Sequence, residues 1–202
     1  MILVRRAGRV HRKGFTLLEL LFVVAIIGIV TAMAIPRWVT MSQTYHLRSD
    51  ADRISGLINA YRMRGTSNFA RTTITCGTNS QCPGSGLGCT ATMQNYTIVT
   101  GSGSTISDAT PQLACLSPDV QFAVPTSTSV GVQGQYSGTP TQTLTLTFNS
   151  MGLPISSSGG ADPHYAIYLE ELPSQMYMAV GVSTNGKPYV YRLNGSTWAF
   201  LQ

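Results

Sequence analysis

The 202-residue sequence predicts an α+β fold: one long N-terminal helix, apolar in its first half and amphipathic in its second, packed on a C-terminal antiparallel β-sheet domain. Three observations carry that prediction. Residues 15–35 contain a single charge, Glu19, in an otherwise apolar run. Leu47, Ala51, Ile54, Ile58 and Tyr61 then recur at spacings of four, three, four and three, which puts them on one helical face. From residue 72 onward the composition turns to Thr, Ser, Gly and short β-prone runs, with Asn185-Gly186 and Asn194-Gly195 as hairpin-turn pairs.

The apolar run would cover roughly 31 Å as a helix at about 1.5 Å per residue, close to the hydrocarbon thickness of a bilayer, so a single membrane span is expected. Ala25, Gly28, Thr31, Ala32 and Ala34 are small enough to let another helix approach. Arg5, Arg6, Arg9, Arg12 and Lys13 precede the run and would hold that end in the cytoplasm. Glu19 is the misfit. An acidic side chain deep in a bilayer costs about 2.5 to 3.5 kcal/mol, so it demands a partner. A cleaved secretory signal and a plain membrane anchor compete for the same residues. Ala32 and Ala34 suit the first, but the apolar run passes through Pro36 straight into the amphipathic pattern, with no polar cleavage region between them.

The junction Lys13-Gly14-Phe15-Thr16-Leu17-Leu18-Glu19, with a short basic leader before it, an apolar helix after it and Pro36 at the far end, resembles the N-terminus of type IV pilins and of the pseudopilins of type II secretion. The resemblance covers about residues 12–36. It implies a pilin fold, cleavage after Gly14 by a prepilin peptidase, and methylation of the new N-terminus at Phe15. It also implies that Glu19 meets the N-terminal amine of a neighbouring subunit during assembly, and that Pro36 kinks the helix while staying inside it. A carboxylate in a low dielectric gains most from such a cationic end, so Glu19 would act as a register key. The expected organisation is a leader over 1–14, an assembly helix over 15–36, an amphipathic helix and linker over 37–71, and a β-rich domain over 72–202. The implied partners are other pilin or pseudopilin subunits, the prepilin peptidase and the inner membrane. The implied location is the bacterial inner membrane, single-pass with a periplasmic C-terminal domain, and then a filament.

Charge supports caution about other partners. The chain has 13 Lys plus Arg against 8 Asp plus Glu. Five of the basic residues precede Phe15, so the remaining side chains balance at eight against eight, and the basic pI of about 9.2 is poor evidence for nucleic-acid binding. Arg37, Arg48, Arg53, Arg62, Arg64 and Arg71 face only Asp50 and Asp52 in the same stretch; a solvated face with ion pairs is favoured over contact with lipid headgroups or nucleic acid. Arg48 and Asp52 form an i,i+4 pair, and Gly65 is the expected helix terminator.

Strands are expected at 72–75, 96–99, 120–124, 143–148, 165–169, 176–182, 189–193 and 197–201, the last three forming an antiparallel meander, with loops at 77–88 and 127–141. Cys76, Cys82, Cys89 and Cys115 lack paired zinc spacing, and His11, His46 and His164 are scattered, so two disulfides are expected and no metal. Of three connectivities, Cys76–Cys82 with Cys89–Cys115 is weakly preferred. No cofactor, small-molecule substrate or enzyme activity is indicated: Asp162 and His164 lack an accompanying nucleophile, and the Gly-rich 82–88 lacks a phosphate-loop lysine.

The late sequence, Leu146 to Pro154 and Val180-Gly181-Val182-Ser183-Thr184-Asn185-Gly186-Lys187, resembles the GspH/FimT group of minor pilins and pseudopilins. Some FimT-like members take up DNA through a basic Gly-Arg-x-Arg stretch at that hairpin. Here the positions read Gly186-Lys187-Pro188-Tyr189, so Lys187 and Arg192 are the weak DNA-contact candidates, with Tyr189 or Tyr191 to stack on a base, and ordinary surface charges are favoured. The alternatives carried forward are a minor type IV pilin, a type II secretion pseudopilin, a DNA-uptake pilin, and an anchored binding protein that never polymerises.

Overall fold

The computed structural model describes residues 15–97, 104–107, 111–126, 142, 144–155, 165–172 and 174–201; side chains of 34–40, 94–97 and 104–107 lie outside the described set. Two compact units are present, Met1–Thr40 and Met41–Gln202. Helix α1 is Leu17–Ser67, and the strands are β1 Arg71–Thr78, β2 Leu87–Thr97, β3 Ser104–Ser107, β4 Gln112–Cys115, β5 Val120–Phe122, β6 Thr145–Phe148, β7 Pro154–Ile155, β8 Tyr165–Glu171, β9 Met176–Val182, β10 Pro188–Asn194 and β11 Thr197–Phe200.

Within the second unit, the part of α1 after Met41 packs on two antiparallel sheets, giving the expected α+β architecture of a helix and a C-terminal β-domain. The first sheet runs β3-β2-β1-β6-β7 with β4 also paired to β2, and the second runs β11-β10-β9-β8-β5. Leu47, Ala51, Ile54, Ile58 and Tyr61 are all buried, as their spacing predicts, and Leu57 joins them. They meet Ile74, Ala91, Leu146 and Phe148 from the first sheet and Ile167, Leu169, Val180 and Val190 from the second in one core. The C-terminal meander follows the predicted order, with Gly186 (φ 80°) and Gly195 (φ 62°) in its two hairpin turns.

Several boundaries move. The strand expected at 96–99 begins instead at Leu87, and β3, β4 and β7 are additional; small inward residues such as Cys89 and Ala91 give too faint an alternation to announce a strand. The loop expected at 77–88 shrinks accordingly, and the loop expected at 127–141 lies outside the described residues. Gly65 does not end the helix. α1 continues to Ser67 and closes two residues later at Phe69, which takes the left-handed conformation (φ 51°) usually left to glycine. The Ala70 N–H donates to the Gly65 carbonyl at 2.9 Å, the wrap-around bond of a Schellman closure.

Three polar ties connect helix to sheets. Tyr61 is fully buried, and its hydroxyl accepts the backbone N–H of Gln112 at 2.9 Å, which satisfies the one polar atom of the ring. Asp50, also fully buried, accepts from Ser117 twice, through N–H at 2.7 Å and Oγ–H at 3.2 Å, while Arg53 Nη1 stands 3.8 Å away. Burial pushes the Asp50 carboxyl up from its ordinary range; the Ser117 donors, Arg53 and His46 oppose it without cancelling it. Arg62 Nε donates to the Gly152 carbonyl at 3.1 Å, and the Gly152 carbonyl in turn crowds Gly186, where an added Cβ would lie 2.2 Å from it. Helix, β6–β7 turn and β9–β10 hairpin thus meet at one point that has no room for a side chain.

Two tests follow from these ties. Gly186→Ala should be severely destabilising because the methyl meets backbone at a positive φ, whereas Gly195→Ala, with open space, should cost about 1 kcal/mol; thermal unfolding of both variants in detergent reads the difference. For Asp50, a folded pKa raised above the unfolded value means the native state holds the proton more tightly, so this contribution is greatest in acid and is lost as pH rises through the raised value. The stability of the native chain minus that of Asp50→Asn should therefore fall as pH rises out of the ordinary carboxylate range and through the raised value, as read by urea midpoints; a difference that rises with pH is the contrary result.

Candidate functional site

Glu19 is set by the first turn of α1. Thr16 is the N-cap: its carbonyl accepts the Leu20 N–H at 3.2 Å and its Oγ1 accepts the Glu19 N–H at 3.2 Å. Thr16-x-x-Glu19 is the spacing of a capping box, and it places the carboxylate at the positive end of the helix macrodipole, where a negative charge gains about 0.3 to 1 kcal/mol. Sequence reasoning passed over this local role, although the four-residue spacing was legible.

Around Glu19 the helix is apolar on every side. Phe15 and Leu17 are each 81% exposed, and Leu18, Leu20, Leu21, Phe22, Ile26, Ile27, Ile29 and Val30 are exposed too. Bare leucines and isoleucines around a whole helix have no favourable state in water and need lipid or other protein as cover. The Thr31 hydroxyl, by contrast, is satisfied inside the helix, donating toward the carbonyls of Ile27 (2.8 Å) and Gly28 (3.0 Å), so it adds no polar demand to that surface. Among the described residues no helix is long and apolar enough to cross a membrane. The expected span of 15–35 runs past Met33 into side chains that lie outside the described residues, while α1 itself continues from Leu17 to Ser67. Gly14 lies outside the described residues, and Pro36 falls within α1 while its side chain lies outside them.

The four cysteines form two disulfides, but not with the preferred connectivity. Cys76 pairs with Cys89, directly opposite it in the β1–β2 ladder with a Cα–Cα distance of 4.0 Å, and Cys82 pairs with Cys115 at the end of β4. The reason is the unforeseen length of β2. Strand register aligns residues thirteen positions apart, and the β1–β2 loop then carries Cys82 across to β4. That loop is also tied by Asn79, which accepts the Gln81 N–H and donates to Thr90 Oγ1 at 2.8 Å.

Lys187 lies in the turn before β10 and Arg192 within that strand. Lys187 is exposed, with Nζ 5.1 Å from the Tyr189 ring centroid. Arg192 is half-buried opposite Met178 and Ala199, three positions from Tyr189 on β10, and so projects from the other side of the sheet. Glu170, Gln121 and Tyr177 form a separate cluster in which the carboxylate accepts from the Gln121 amide and the Tyr177 hydroxyl, each at 2.7 Å; that hydrogen bond raises the Tyr177 pKa. Among the described residues no three His, Cys, Asp or Glu side chains gather as metal ligands.

Residues 9–35 match the family described as the prokaryotic N-terminal methylation motif, the motif of type IV pilins. Over 43 residues the chain is 54% identical to the type IV major fimbrial protein FimA of Dichelobacter nodosus, covering 21% of this chain and 25% of that protein. Over 49 residues it is 47% identical to the type IV major alpha-pilin of Moraxella bovis, covering 24% and 28%. The chain therefore matches about a quarter of the length of these curated relatives. No solved structure matches it.

The capping geometry is testable by itself. Thr16→Ala should remove about 1 kcal/mol from the first turn, so amide exchange at Glu19 and Leu20 in micelles should quicken about fivefold while exchange at Ile54 and Ile58 stays unchanged.

Proposed function

We propose that the protein is a structural, non-enzymatic subunit of a type IV pilus-like filament, cut after Gly14 by a prepilin peptidase, methylated at Phe15 and assembled through the apolar half of α1. The observation that carries this reading is the methylation motif, with its single acidic residue in the first turn of a helix that exposes apolar side chains on every side. Glu19 lies four residues from the new terminus. In the fibre its carboxylate would accept a charge-assisted hydrogen bond from the Phe15 ammonium of the next subunit, an interaction strengthened by the low dielectric of the surrounding helices. Before assembly the same apolar surface would hold the chain in the inner membrane, with the β-domain on the periplasmic side. Type IV pilin relatives support other pilin subunits as partners. Within this reading we place the chain among minor subunits of the GspH/FimT kind, on the strength of the Ser183–Lys187 hairpin sequence and the meander it closes.

Intact mass of the protein from cells with an active prepilin peptidase should correspond to loss of residues 1–14 and gain of one methyl group. Glu19→Ala should still be cut yet enter filaments poorly, by tenfold or more on the scale of about 1.4 kcal/mol per decade. A chain that keeps its leader, and whose Glu19→Ala variant behaves as the native protein does, would instead be the non-polymerising anchored protein.

A further inference from the structure

Asn185-Gly186 and Asn194-Gly195 both sit in hairpin turns of the C-terminal meander. The Asn-Gly pair is chemically special. The side-chain carboxamide is an acyl group within reach of the next backbone nitrogen, and a following glycine puts no Cβ in the way of that approach. The turn around the pair decides whether the two atoms meet, and these two turns differ.

In the β9–β10 turn both reactants are engaged. The Gly186 N–H donates to the Ser183 carbonyl at 2.8 Å. Asn185 Oδ1 accepts from Ser183 Oγ and from the Lys187 N–H at 3.3 Å, so the carboxamide is pinned across the turn. Gly186 is also buried, with the Gly152 carbonyl standing where a Cβ would be. Bringing its nitrogen onto the Asn185 carboxamide would break these bonds and shift backbone that has no space to move.

The β10–β11 turn lacks those restraints. Asn194, Gly195 and Ser196 are exposed, and Gly195 (φ 62°) has open space on its Cβ side. Thr197 pairs with Asn194 across the turn, its Oγ1 donating to the Asn194 main-chain carbonyl at 3.2 Å. Among the described residues nothing holds the Asn194 carboxamide or accepts the Gly195 N–H. β11 is an edge strand paired only with β10, so this turn opens without disturbing a further neighbour.

We propose that Asn194 is a site of spontaneous deamidation. The Gly195 nitrogen bonds to Asn194 Cγ, the Cγ–Nδ2 bond breaks, and the proton lost from Gly195 passes through solvent to the leaving nitrogen, which departs as ammonia. Water then opens the resulting succinimide at either carbonyl to give aspartate or isoaspartate, a gain of about 1 Da and one negative charge. Asn194 lies two residues from Arg192 on β10 and shares its face, so the new carboxylate arises beside that cation and offsets it. Isoaspartate also lengthens the main chain of the Gly195-Ser196 turn and loosens the pairing of β11.

Full-length protein in detergent micelles, held in mildly alkaline buffer and followed by peptide mass mapping, tests this. The Asn194 peptide should gain about 1 Da with time, and faster as pH rises because the attacking nitrogen must lose its proton, while the Asn185 peptide converts about tenfold more slowly. Asn194→Gln, whose longer side chain would need a larger ring, should abolish the gain with melting temperature unchanged. In urea the two sites should convert at similar rates, since the turns that distinguish them are gone. The proposal is overturned if the Asn194 peptide keeps its mass, if Asn185 converts as fast in the folded protein, or if the difference between the sites persists in urea.

Discussion

One stripe of α1 organises the second unit. Leu47, Ala51, Ile54, Leu57, Ile58 and Tyr61 are removed from water by both sheets at once, and each large apolar side chain so buried is worth about 1.5 to 3 kcal/mol. The two sheets share no strand. Their common partner is the helix, so the core exists only where its stripe lies between them.

Apart from the Tyr61 hydroxyl that stripe is apolar, and its packing contacts set no register along the helix axis; the polar ties supply one. Tyr61 reaches the backbone of β4, Asp50 holds the segment joining β4 to β5, and Arg62 reaches the β6–β7 turn. Each partner lies at least fifty residues away, and each tie is directional where the apolar contacts are not. An unpartnered carboxylate or phenol in the same place would cost more than its bond contributes, which makes the wrong register expensive. The disulfides act at the other end of the first sheet, where a polar loop has little apolar surface of its own to bury.

The N-terminal segment obeys a different logic. Its described apolar side chains are exposed, and its one carboxylate is placed by the helix it begins. Local capping and intermolecular pairing are compatible roles for Glu19, since the backbone N–H is what Thr16 satisfies and the side chain is left to serve another group. The family match, residues 9–35, falls in this segment.

The sequence by itself determined whatever depends on neighbours a few residues apart. Helical spacing named five of the six stripe residues, hairpin pairs placed the last two turns of the meander, and the Gly14–Glu19 junction stood out as an ordered motif. Tertiary structure decided what depends on register between distant segments. The cysteine pairing followed from an eleven-residue β2 whose small inward residues left no legible alternation, the glycine at 186 is required by a carbonyl thirty-four positions away, and Tyr189 and Arg192 were put on opposite faces by the two-residue repeat of a strand. Such pairings are settled by the free energy of the whole core, to which no short window of sequence has access.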